Sequence, residues 1–369
     1  MARNKFLSFV LLYPISKIYG CVVAIRNAMF NRGIFLKQHE ADVPVIVVGN
    51  ISVGGAGKTP HTEYIVSRLC RNYKIGVLSR GYKRKTKGFI LATSNSHVDD
   101  IGDEAYQIYQ KYRNYGVNVA VCENRVKGIA ELRRLVPDIN LVVLDDAFQH
   151  RYIKPTISVV LMEYNRPAFN DHLLPFGRLR EPMSSLNRAD MVVVTKCPDE
   201  MKPMETRIFK TKLNLFPYQK LFFSGYKYLP IEPVFPGDVP TVTRLKITDL
   251  TSNDAILSVT GVANPKPFIL YLKSFNAKVR IKRYGDHHRF TQTDMQSIFD
   301  KFTTMSGERK IIITTEKDAV RIKSNPYFPP ELRASTYYMP ISVTFSDDYN
   351  DQNLEQSIQQ KLQKERWLD

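Results

Sequence analysis

An apolar strand that leads into a glycine-rich loop and then into a helix places the strongest constraint on the fold. Residues 45–59 have the sequence VIVVGNISVGGAGKT. Such a loop presents backbone N–H groups to phosphate oxygens, while its Lys reaches the outer phosphates and its Thr hydroxyl binds Mg²⁺. The predicted phosphate cradle comprises Ser52, Val53, Gly54, Gly55, Ala56, Gly57, Lys58 and Thr59. Ser52 stands where the strict motif has its first Gly, and a glycine-rich helix cap is the alternative interpretation.

Apolar strands alternate with helix-length segments after this loop. Strands are predicted at 45–48, 75–78, 117–121, 141–144, 157–161 and 191–194, and helices at 60–72, 103–115 and 125–135. Strands that are apolar on both faces and separated by helices are typical of a parallel sheet with covered faces. The sequence therefore predicts an α/β fold of the P-loop NTPase type, with a doubly wound, mostly parallel sheet.

A second, smaller α/β set follows a connecting region rich in Pro and Tyr. Its predicted strands are 255–259, 279–283, 310–314 and 337–343, with helices at 267–275, 291–302 and from residue 353 onward. A chain of 369 residues is too long for one compact core, so two domains are expected. We predict an N-terminal apolar helix at 1–41, a P-loop kinase domain at 42–205, and a second domain at 206–369 that closes a cleft.

The N-terminal segment differs in composition from the rest of the chain. Residues 6–25 form an apolar run that Pro14 interrupts and that carries one charge, Lys17, with basic residues on both flanks. Such a run is long enough to span a bilayer, but a central Lys costs roughly 2.5–3.5 kcal/mol to insert. We therefore expect a helix that lies in the membrane interface. A buried helix, a signal sequence and a true span are the alternatives.

One strand ends in two carboxylates, Asp145 and Asp146. Ligands bind at the carboxyl ends of parallel strands, and a P-loop protein places its Mg²⁺-directing acid there. Adjacent side chains on an extended chain point to opposite faces, so the two residues are expected to have different roles. The alternative interpretation is an ordinary acidic turn.

Weaker signals lie in five further segments. Asp103 and Glu104 open a helix, where acids also stabilise the dipole. His287 and His288 suit a surface turn or an acid–base group better than a metal site, because no Cys or further His lies at ligand spacing. The basic segments 71–90 and 174–182 indicate either a solvated face or a surface for an anionic substrate. Residues 314–318 indicate a helix N-terminus.

The chain is strongly basic, with 53 Lys and Arg against 36 Asp and Glu and a formal net charge of +17. Such a surface usually meets phosphate in nucleic acid, an anionic membrane or a phosphorylated substrate. The four Cys residues lie far apart in the sequence, which excludes a zinc ribbon and favours a reducing compartment over a disulfide scaffold.

Together, these motifs resemble the tetraacyldisaccharide 4'-kinase family, the lipid A 4'-kinases of Gram-negative bacteria. The resemblance covers most of the chain and rests on the order of its motifs. They are Gly49-Asn50, Gly54 to Pro60, Ser79-Arg80-Gly81-Tyr82, Gly102-Asp103-Glu104, Asp145 to His150, Leu174-Pro175, Gly177, Leu179-Arg180-Glu181, Gly261, Asn264-Pro265, Asp286-His287 and Thr314 to Asp318. Ala147 and Ala105 differ from the family pattern, which commonly has Gly and Pro there.

The resemblance implies ATP- and Mg²⁺-dependent phosphorylation of the 4'-hydroxyl of a tetraacylated glucosamine disaccharide 1-phosphate. It makes Asp103 the base, oriented by a His that matches His287 better than His288. It also implies that Lys58 neutralises charge on the transferred group. Mg²⁺ would be placed by Thr59, Asp145 and Glu104. The candidate contacts with substrate or ATP are Arg80, Arg125, Asp146, Gln149, His150 and Arg180.

The resemblance also implies a lipid substrate and a location on the cytoplasmic face of the bacterial inner membrane, peripheral or monotopic through the N-terminal helix. A P-loop ATPase or switch that binds nucleic acid through its basic surface is the alternative function. We expect no nucleic acid partner, because the sequence contains no recognised nucleic-acid-binding motif and begins with an apolar segment.

Overall fold

A computed structural model describes residues 2–238, 245–346, 349–350 and 352–366, with side chains described from residue 9 to residue 364 of these ranges. The strands are β1 (Val45–Asn50), β2 (Ile75–Ser79), β3 (Ile90–Leu91), β4 (Asn118–Val121), β5 (Leu141–Asp145), β6 (Ile157–Glu163), β7 (Met191–Thr195), β8 (Lys220–Tyr228), β9 (Glu232–Pro233), β10 (Ala255–Thr260), β11 (Lys278–Arg283), β12 (Lys310–Thr315), β13 (Thr336–Met339) and β14 (Ile341–Phe345). The helices are α1 (Ala2–Arg32), α2 (Lys58–Leu69), α3 (Val98–Ile101), α4 (Asp103–Tyr112), α5 (Arg125–Leu135), α6 (Pro203–Leu213), α7 (Lys266–Lys273), α8 (Gln292–Thr303), α9 (Glu316–Lys323) and α10 (Leu354–Arg366).

The larger sheet has the strand order β14-β8-β7-β6-β1-β5-β2-β4-β3. Its strands from β8 to β4 are parallel, and the edge strands β14 and β3 are antiparallel to their neighbours. Every residue of β1, β2 and β5 is buried, because α5 and α6 cover one face of the sheet while α2, α4 and α10 cover the other. The predicted doubly wound α/β fold is confirmed. Since β1 lies between β5 and β6, its carboxyl end is where such a sheet binds ligands.

The smaller sheet forms the second lobe, with the strand order β11-β10-β12-β13-β9. Strands β10 to β13 are parallel, and β9 is antiparallel to β13. Helices α7, α8 and α9 contribute buried side chains to its core. The sequence prediction of a second, smaller α/β lobe therefore agrees with this sheet.

The division of the chain by sheets differs from the predicted boundary after residue 205. Strands β8 and β14 belong to the larger sheet. Helix α10 packs on the same lobe through Leu354, Ile358 and Leu362. The chain therefore enters the second lobe after β8 and returns to the first lobe before its C-terminus.

The predicted strand at 337–343 is two strands that are separated by Pro340. Thr336–Met339 pairs with β12 in the smaller sheet, whereas Ile341–Phe345 pairs with β8 in the larger one. Proline has no N–H to donate to a ladder, so it suits the point where the chain changes sheets.

Helix α1 lies on the larger lobe with most of its apolar side chains exposed. Val23 and Phe30 are buried, whereas Ile18, Val22 and Ile25 are 66%, 60% and 62% exposed. A helix in the core of its own chain would bury these side chains, so the buried-helix alternative is not supported.

The apolar run continues through Pro14, which lies inside α1 rather than ending it. Among the described residues, Phe9–Arg32 is long and apolar enough to cross a membrane. The basic flanking residues Arg3 and Lys5 lie outside the described side chains.

A cluster of buried and partly buried charges joins α2, α4 and α9 across the two lobes. Lys111 Nζ lies 2.6 Å from Glu63 Oε2 and 2.9 Å from Glu316 Oε1. Burial would lower the pKa of Lys111, but the two carboxylates outweigh it and raise that pKa above its ordinary value. Burial and the charge of Glu63 raise the pKa of Glu316 to about 7. This cluster holds the second lobe against α4, the helix that begins at Asp103.

We expect Lys111→Met to lower the free energy of unfolding by about 3 kcal/mol, because two buried carboxylates lose their shared cation. A carboxyl group whose pKa rises on folding destabilises the fold as pH increases through that pKa. The deficit should therefore be larger at pH 8 than at pH 6. Urea denaturation at both pH values measures it, with Lys127→Met, on the exposed side of α5, as the matched control. Equal deficits at the two pH values would contradict the electrostatic explanation.

Candidate active site

The glycine-rich loop joins the end of β1 to the start of α2 at Lys58. Gly54 and Gly57 have φ angles of 113° and 86°, in the region that favours glycine. A Cβ atom on Gly57 would lie 1.9 Å from the Tyr226 hydroxyl oxygen, so a larger residue does not fit there without movement. The first N–H groups of a helix have no partner within it, and together with the helix dipole they favour a phosphate at this end.

The first residues of the predicted cradle are paired with the segment 178–179. The Val53 N–H donates to the Arg178 carbonyl at 2.7 Å, and Ser52 forms an antiparallel bridge with Leu179. The Val53 amide is therefore engaged by the protein itself. The Ala56 N–H likewise donates to the Gly54 carbonyl at 3.0 Å, so we expect the other amides between Gly54 and Thr59 to hold phosphate.

Asp146 lies between two cations at the end of the neighbouring strand. Its Oδ2 is 3.5 Å from Lys58 Nζ, and its Oδ1 is 3.5 Å from Arg180 Nη1. Arg180 also donates to Gln149 Oε1 at 3.4 Å, and Gln149 Nε2 donates to the Asn50 carbonyl at 2.7 Å. Three of the predicted substrate or nucleotide contacts are therefore linked to one another, and Asp146 links them to the Lys of the loop.

The turn after β5 explains why Ala147 is compatible with this site. The positive φ of the turn, 47°, falls on Asp146. Ala147 is buried, and its N–H donates to the Val48 carbonyl at 3.3 Å. The chain therefore needs no glycine at position 147, where the family pattern has one.

Asp145 is buried at the end of β5 and accepts a hydrogen bond from Thr62 Oγ1 at 2.8 Å. Burial raises the pKa of Asp145 to about 7, together with the charges of Glu104 and Asp146. A cation bound here would offset both the burial and the repulsion between carboxylates. Thr62 was not among the predicted site residues, although it lies on α2 one turn after Lys58.

The residues around Asp145 fit a Mg²⁺ ion that is shared with a nucleotide. Asp145, Glu104 and Thr59 offer hard oxygen ligands, which Mg²⁺ prefers. The described side chains contain no group of three or more His, Cys, Asp or Glu that could hold a metal ion. Mg²⁺ is usually bound by one or two carboxylates together with substrate phosphates and water, so this sparse set suits it.

Arg80 and Arg125 place positive charge near Asp146, and His150 lies beside them. The Arg125 guanidinium donates to the carbonyls of Cys122 and Glu123 at 3.3 and 3.1 Å, and its backbone N–H donates to His150 Nε2 at 3.3 Å. Burial lowers the pKa of His150 to about 4, together with the charges of Arg125 and Arg80, so the ring is neutral at pH 7. Arg80 is exposed directly after β2. The exposed guanidinium offers an anion a positively charged approach to the loop.

Asp103 receives side chains of the second lobe on one of its two oxygens. His287 Nδ1 lies 3.0 Å from Asp103 Oδ2, and Arg321 Nε donates to the same oxygen at 3.2 Å, as does Arg321 Nη2. Oδ1 accepts the Glu104 N–H at 3.0 Å. Burial would raise the pKa of Asp103, but His287, Lys317 and Arg321 outweigh it and hold that pKa well below its usual range. Asp103 is therefore ionised at neutral pH.

His287, and not His288, contacts Asp103. His287 has a φ of 55°, and its N–H donates to the Gly261 carbonyl at 3.2 Å. His288 Nε2 instead lies 2.8 Å from Asp294 Oδ2 within the second lobe. The geometry therefore agrees with the choice of His287 that the family pattern indicated.

Two cations of α9 are part of this site although the sequence did not predict them. Besides Arg321, Lys317 Nζ lies 3.0 Å from Glu104 Oε1 and 3.0 Å from His287 Nε2. The pattern at 314–318 indicates a helix N-terminus, and Thr315 does cap α9. A cation in the first turn of a helix interacts unfavourably with the helix dipole. This unusual position was the feature of the sequence that could have indicated a functional role for Lys317.

A cavity of about 510 Å³ lies between the lobes beside this group. Its lining includes Asp103, His287 and Arg321 together with the cations Lys83 and Lys85. A space of this size is in the usual range for a ligand site. The ionised Asp103 is thus accessible from a polar cavity.

Helix α1 is attached to the segment that borders the glycine-rich loop. The Tyr19 hydroxyl donates to the Arg180 carbonyl at 2.9 Å, and Ser16 Oγ donates to the Leu173 carbonyl at 2.8 Å. Arg26 lies 2.7 Å from the buried carboxylate of Glu181. Since Arg180 contacts Asp146, the exposed apolar helix is connected directly to the site.

The fold and this site define a P-loop phosphotransferase. The loop and Lys58 suit the phosphates of a nucleotide, and Asp145 suits a bound Mg²⁺. Asp103 suits an acceptor hydroxyl, because it is an ionised carboxylate held in place from the opposite lobe.

Comparison with known proteins identifies the family. The family model for tetraacyldisaccharide-1-P 4'-kinase matches residues 8–363. The tetraacyldisaccharide 4'-kinase of Bacteroides thetaiotaomicron is 46% identical over 345 residues, covering 92% of this chain and 90% of the relative. That of Bacteroides fragilis is 43% identical over 359 residues, covering 97% and 94%. The chain belongs to the tetraacyldisaccharide 1-phosphate 4'-kinase family.

A solved structure supports the same assignment. LpxK from Aquifex aeolicus, crystallised in complex with ATP, has a TM-score of 0.70 and 26% identity, covering 98% of this chain and 100% of that one. The family resemblance, the kinase class and the use of ATP that the motifs predicted are confirmed. The role of each site residue stays a prediction.

Proposed function

We propose that this chain transfers the γ-phosphoryl group of ATP to the 4'-hydroxyl of a tetraacyldisaccharide 1-phosphate in lipid A biosynthesis. In this step the acceptor oxygen forms a bond to the γ-phosphorus while the bond from that phosphorus to the β–γ bridging oxygen breaks. The acceptor proton passes to Asp103, and ADP leaves. The observation that carries the proposal is the ionised Asp103, which His287 orients from the opposite lobe beside a cavity between the lobes.

The low pKa of Asp103 suits this role. A sugar hydroxyl is a weak nucleophile, but the transition state of phosphoryl transfer is loose, so the acceptor proton leaves late. Asp103 then acts first by accepting the hydroxyl hydrogen bond and orienting the oxygen. It takes the proton as the new phosphorus–oxygen bond forms. The second-lobe donors on Oδ2 leave Oδ1 as the oxygen for this contact.

The nucleotide side of the reaction depends on the P-loop. Lys58, with the amides of the loop between residues 54 and 59 other than that of Ala56, would hold the β- and γ-phosphates and neutralise charge on the transferred group. Asp145, Thr59 and Glu104 would hold Mg²⁺, which when bound neutralises phosphate charge. The Asp146 contacts with Lys58 and Arg180, both 3.5 Å long, orient the two cations.

The remaining predicted residues would hold the substrate or the nucleotide near the loop. Arg80 and Arg180 supply positive charge for phosphate, and Gln149 orients Arg180. Arg125 and His150 support this surface from the interior of the protein. Arg125 is buried, and its backbone N–H donates a hydrogen bond to His150. A neutral His150 can donate or accept a hydrogen bond without adding charge.

We infer that α1 attaches the enzyme to the cytoplasmic face of the inner membrane, peripherally or monotopically. The exposed apolar side chains of α1 and the net charge of +17 support binding to an anionic lipid surface. A cytoplasmic location also fits an enzyme that uses ATP. The contacts of Tyr19 and Arg26 hold α1 next to the site. A lipid substrate in the site could then keep its acyl chains in the membrane to which α1 binds.

Purified protein, [γ-³²P]ATP, Mg²⁺ and the tetraacyldisaccharide 1-phosphate in detergent micelles test the function. We expect a labelled lipid, and no labelling of the matched 4'-deoxy lipid or after Mg²⁺ is chelated. ATP hydrolysis without lipid labelling would contradict the proposal. Stimulation of that hydrolysis by DNA or RNA would favour the nucleic acid alternative.

We expect the triple substitution Ile18→Ser, Val22→Ser and Ile25→Ser to reduce binding to anionic vesicles at least about tenfold. Each exposed apolar side chain adds favourable burial when it enters the lipid interface. Unlike deletion of the helix, these changes leave Ser16, Tyr19 and their contacts in place. Vesicle sedimentation measures the effect, and ATP binding should be unchanged.

Leu270→Ser is the control, because Leu270 is 56% exposed on α7 of the second lobe. It should bind vesicles as the parent does. Equal binding by the triple variant and the parent would show that α1 is not the attachment surface.

A further inference from the structure

Lys317 connects the two lobes next to the proposed base. Its Nζ lies 3.0 Å from His287 Nε2 in its own lobe and 3.0 Å from Glu104 Oε1 in the first lobe. We infer that Lys317 is a positioning residue that holds the His287 ring in the Nδ1–H tautomer, so that Nδ1 donates to Asp103. The inferred effect on turnover rests on the proposed function, whereas the tautomer does not.

Only one state of the His287 ring satisfies its contacts with both Lys317 and Asp103. An ammonium group has donors and no acceptor, so Lys317 makes Nε2 the acceptor. An ionised carboxylate has acceptors and no donor, so Asp103 Oδ2, at 3.0 Å, makes Nδ1 the donor. In the opposite tautomer, the Nε2–H would face the ammonium group of Lys317, and the lone pair of Nδ1 would face the carboxylate of Asp103. Protonation of both nitrogens would still oppose Nε2–H to Lys317.

The position of Arg321 is consistent with this state. Its Nη2 lies 3.2 Å from His287 Nδ1 but closer to Asp103 Oδ2. With the proton on Nδ1, both groups donate to the same carboxylate oxygen and neither needs to donate to the other. The contact between Arg321 and His287 is then one of proximity rather than a hydrogen bond.

A second carboxylate explains why the ring needs this control. Asp286 Oδ1 lies 4.0 Å from His287 Nε2. The Asp286 carboxylate is an acceptor, so it favours a proton on Nε2 when no donor contacts that nitrogen. Lys317 occupies Nε2 and, through its own charge, opposes a positive charge on the ring.

The location of Lys317 in its helix supports a role beyond the fold of the second lobe. Thr315 caps α9, and Glu316 and Asp318 suit the positive end of the helix dipole. A cation at position 317 does not suit that end. Residues that break a local rule of this kind are expected where function requires them. The unfavourable interaction of Lys317 with the helix dipole is offset by two acceptors, Glu104 in the first lobe and His287 in the second.

Loss of the Nδ1–H tautomer would change the contact with Asp103 from a hydrogen bond into a repulsion between two acceptors. The carboxylate would then turn or withdraw, and Oδ1 would lose its fixed position. Control of the tautomer is a known requirement of catalytic His–carboxylate pairs, in which the wrong tautomer strongly reduces turnover.

The tautomer is measured by ¹⁵N NMR of [¹⁵N]histidine-labelled protein, without nucleotide or lipid. The His287 signals are assigned by their loss in His287→Ala. In the parent we expect a protonated Nδ1 and an unprotonated, pyridine-type Nε2. In Lys317→Met, which keeps most of the length of the side chain without its charge, Nε2 should become protonated. The other His signals report whether the variant is folded.

Two variants control this measurement. Glu104→Gln removes the second partner of Lys317 but keeps the ammonium, so it should retain the parent pattern. Lys323→Met, exposed at the end of α9, should also retain it. An Nε2-protonated His287 in the parent overturns the inference whether or not any variant folds. An unchanged pattern in Lys317→Met, or the loss of the pattern in Glu104→Gln, also overturns it.

Kinetics test the consequence for turnover. Lys317→Met should lower kcat at least about tenfold, with the KM for ATP within about twofold of the parent value. Combined with His287→Ala, it should cause little further loss, because both changes remove the same donor from Asp103. Multiplicative losses would overturn the role in positioning. If the chain transferred no phosphate to the lipid, only this kinetic test would fail, and the NMR result would remain.

Discussion

Lys58→Ala should yield a folded protein that retains less than about a thousandth of the parent kcat. Lys58 is the first residue of α2, and its side chain is mostly buried, 3.5 Å from Asp146. A fixed cation at the transferred phosphoryl group stabilises charge that develops in the transition state, and removing such a group costs about 10³-fold or more. The other cation beside Asp146, Arg180, also donates to Gln149 at 3.4 Å.

The measurement is kcat at saturating ATP and lipid, together with thermal unfolding of each protein. Lys127→Ala, an exposed change on α5, is the control and should behave as the parent does. The melting temperature of Lys58→Ala should stay close to that of the parent, since Asp146 keeps its contact with Arg180. Near-normal turnover by Lys58→Ala would remove the P-loop from the mechanism.

The parts of the fold that local patterns determine could be predicted from the sequence. The strand at residue 45, the glycine-rich loop and the helix after it occupy adjacent positions, and each has a distinct residue pattern. The central strands are apolar on both faces because helices cover the sheet, and this gave their position to within a few residues.

Pairing between distant strands could not be predicted in the same way. Residues 336–345 form one apolar run apart from Pro340, and only the partners of each half show that it belongs to two sheets. Strand β8 lies in a region whose Pro and Tyr content indicated a connection, yet it joins the larger sheet beside β7. Tertiary pairing overrides local propensity at such positions.

The residues of the candidate site also divide into those that local motifs indicate and those that only tertiary contacts reveal. Residues of the first lobe, such as Lys58 and Asp145, lie within short motifs whose chemistry is recognisable locally. Arg321 contacts Asp103 across a separation of 218 residues, and nothing in its local sequence indicates this partner. The sequence indicated His287 and His288 together, and the choice of His287 came only from the resemblance to the family pattern. The lobe that closes the cleft therefore contributes the residues that were hardest to find.

We expect Asp103→Asn to lower kcat by about 10²- to 10⁴-fold, because the amide keeps the shape of the side chain but cannot take the acceptor proton. His287→Ala should cost less, since it removes one of the donors that orient Asp103 while Arg321 remains on Oδ2. ATP affinity should be unchanged in both variants, because neither residue is assigned to the nucleotide.

The double variant provides the sharper test, because residues that act as one unit do not have additive effects when they are removed. If His287 acts only through Asp103, then adding His287→Ala to Asp103→Asn should reduce kcat little further. The 3.0 Å contact between His287 Nδ1 and Asp103 Oδ2 is the physical basis for this coupling. Measuring kcat at saturating ATP for the parent, both single variants and the double variant gives the coupling directly. Fully multiplicative losses would mean that the two residues act separately, and an active Asp103→Asn protein would pass the role of base to another carboxylate, with Asp146 as the first candidate.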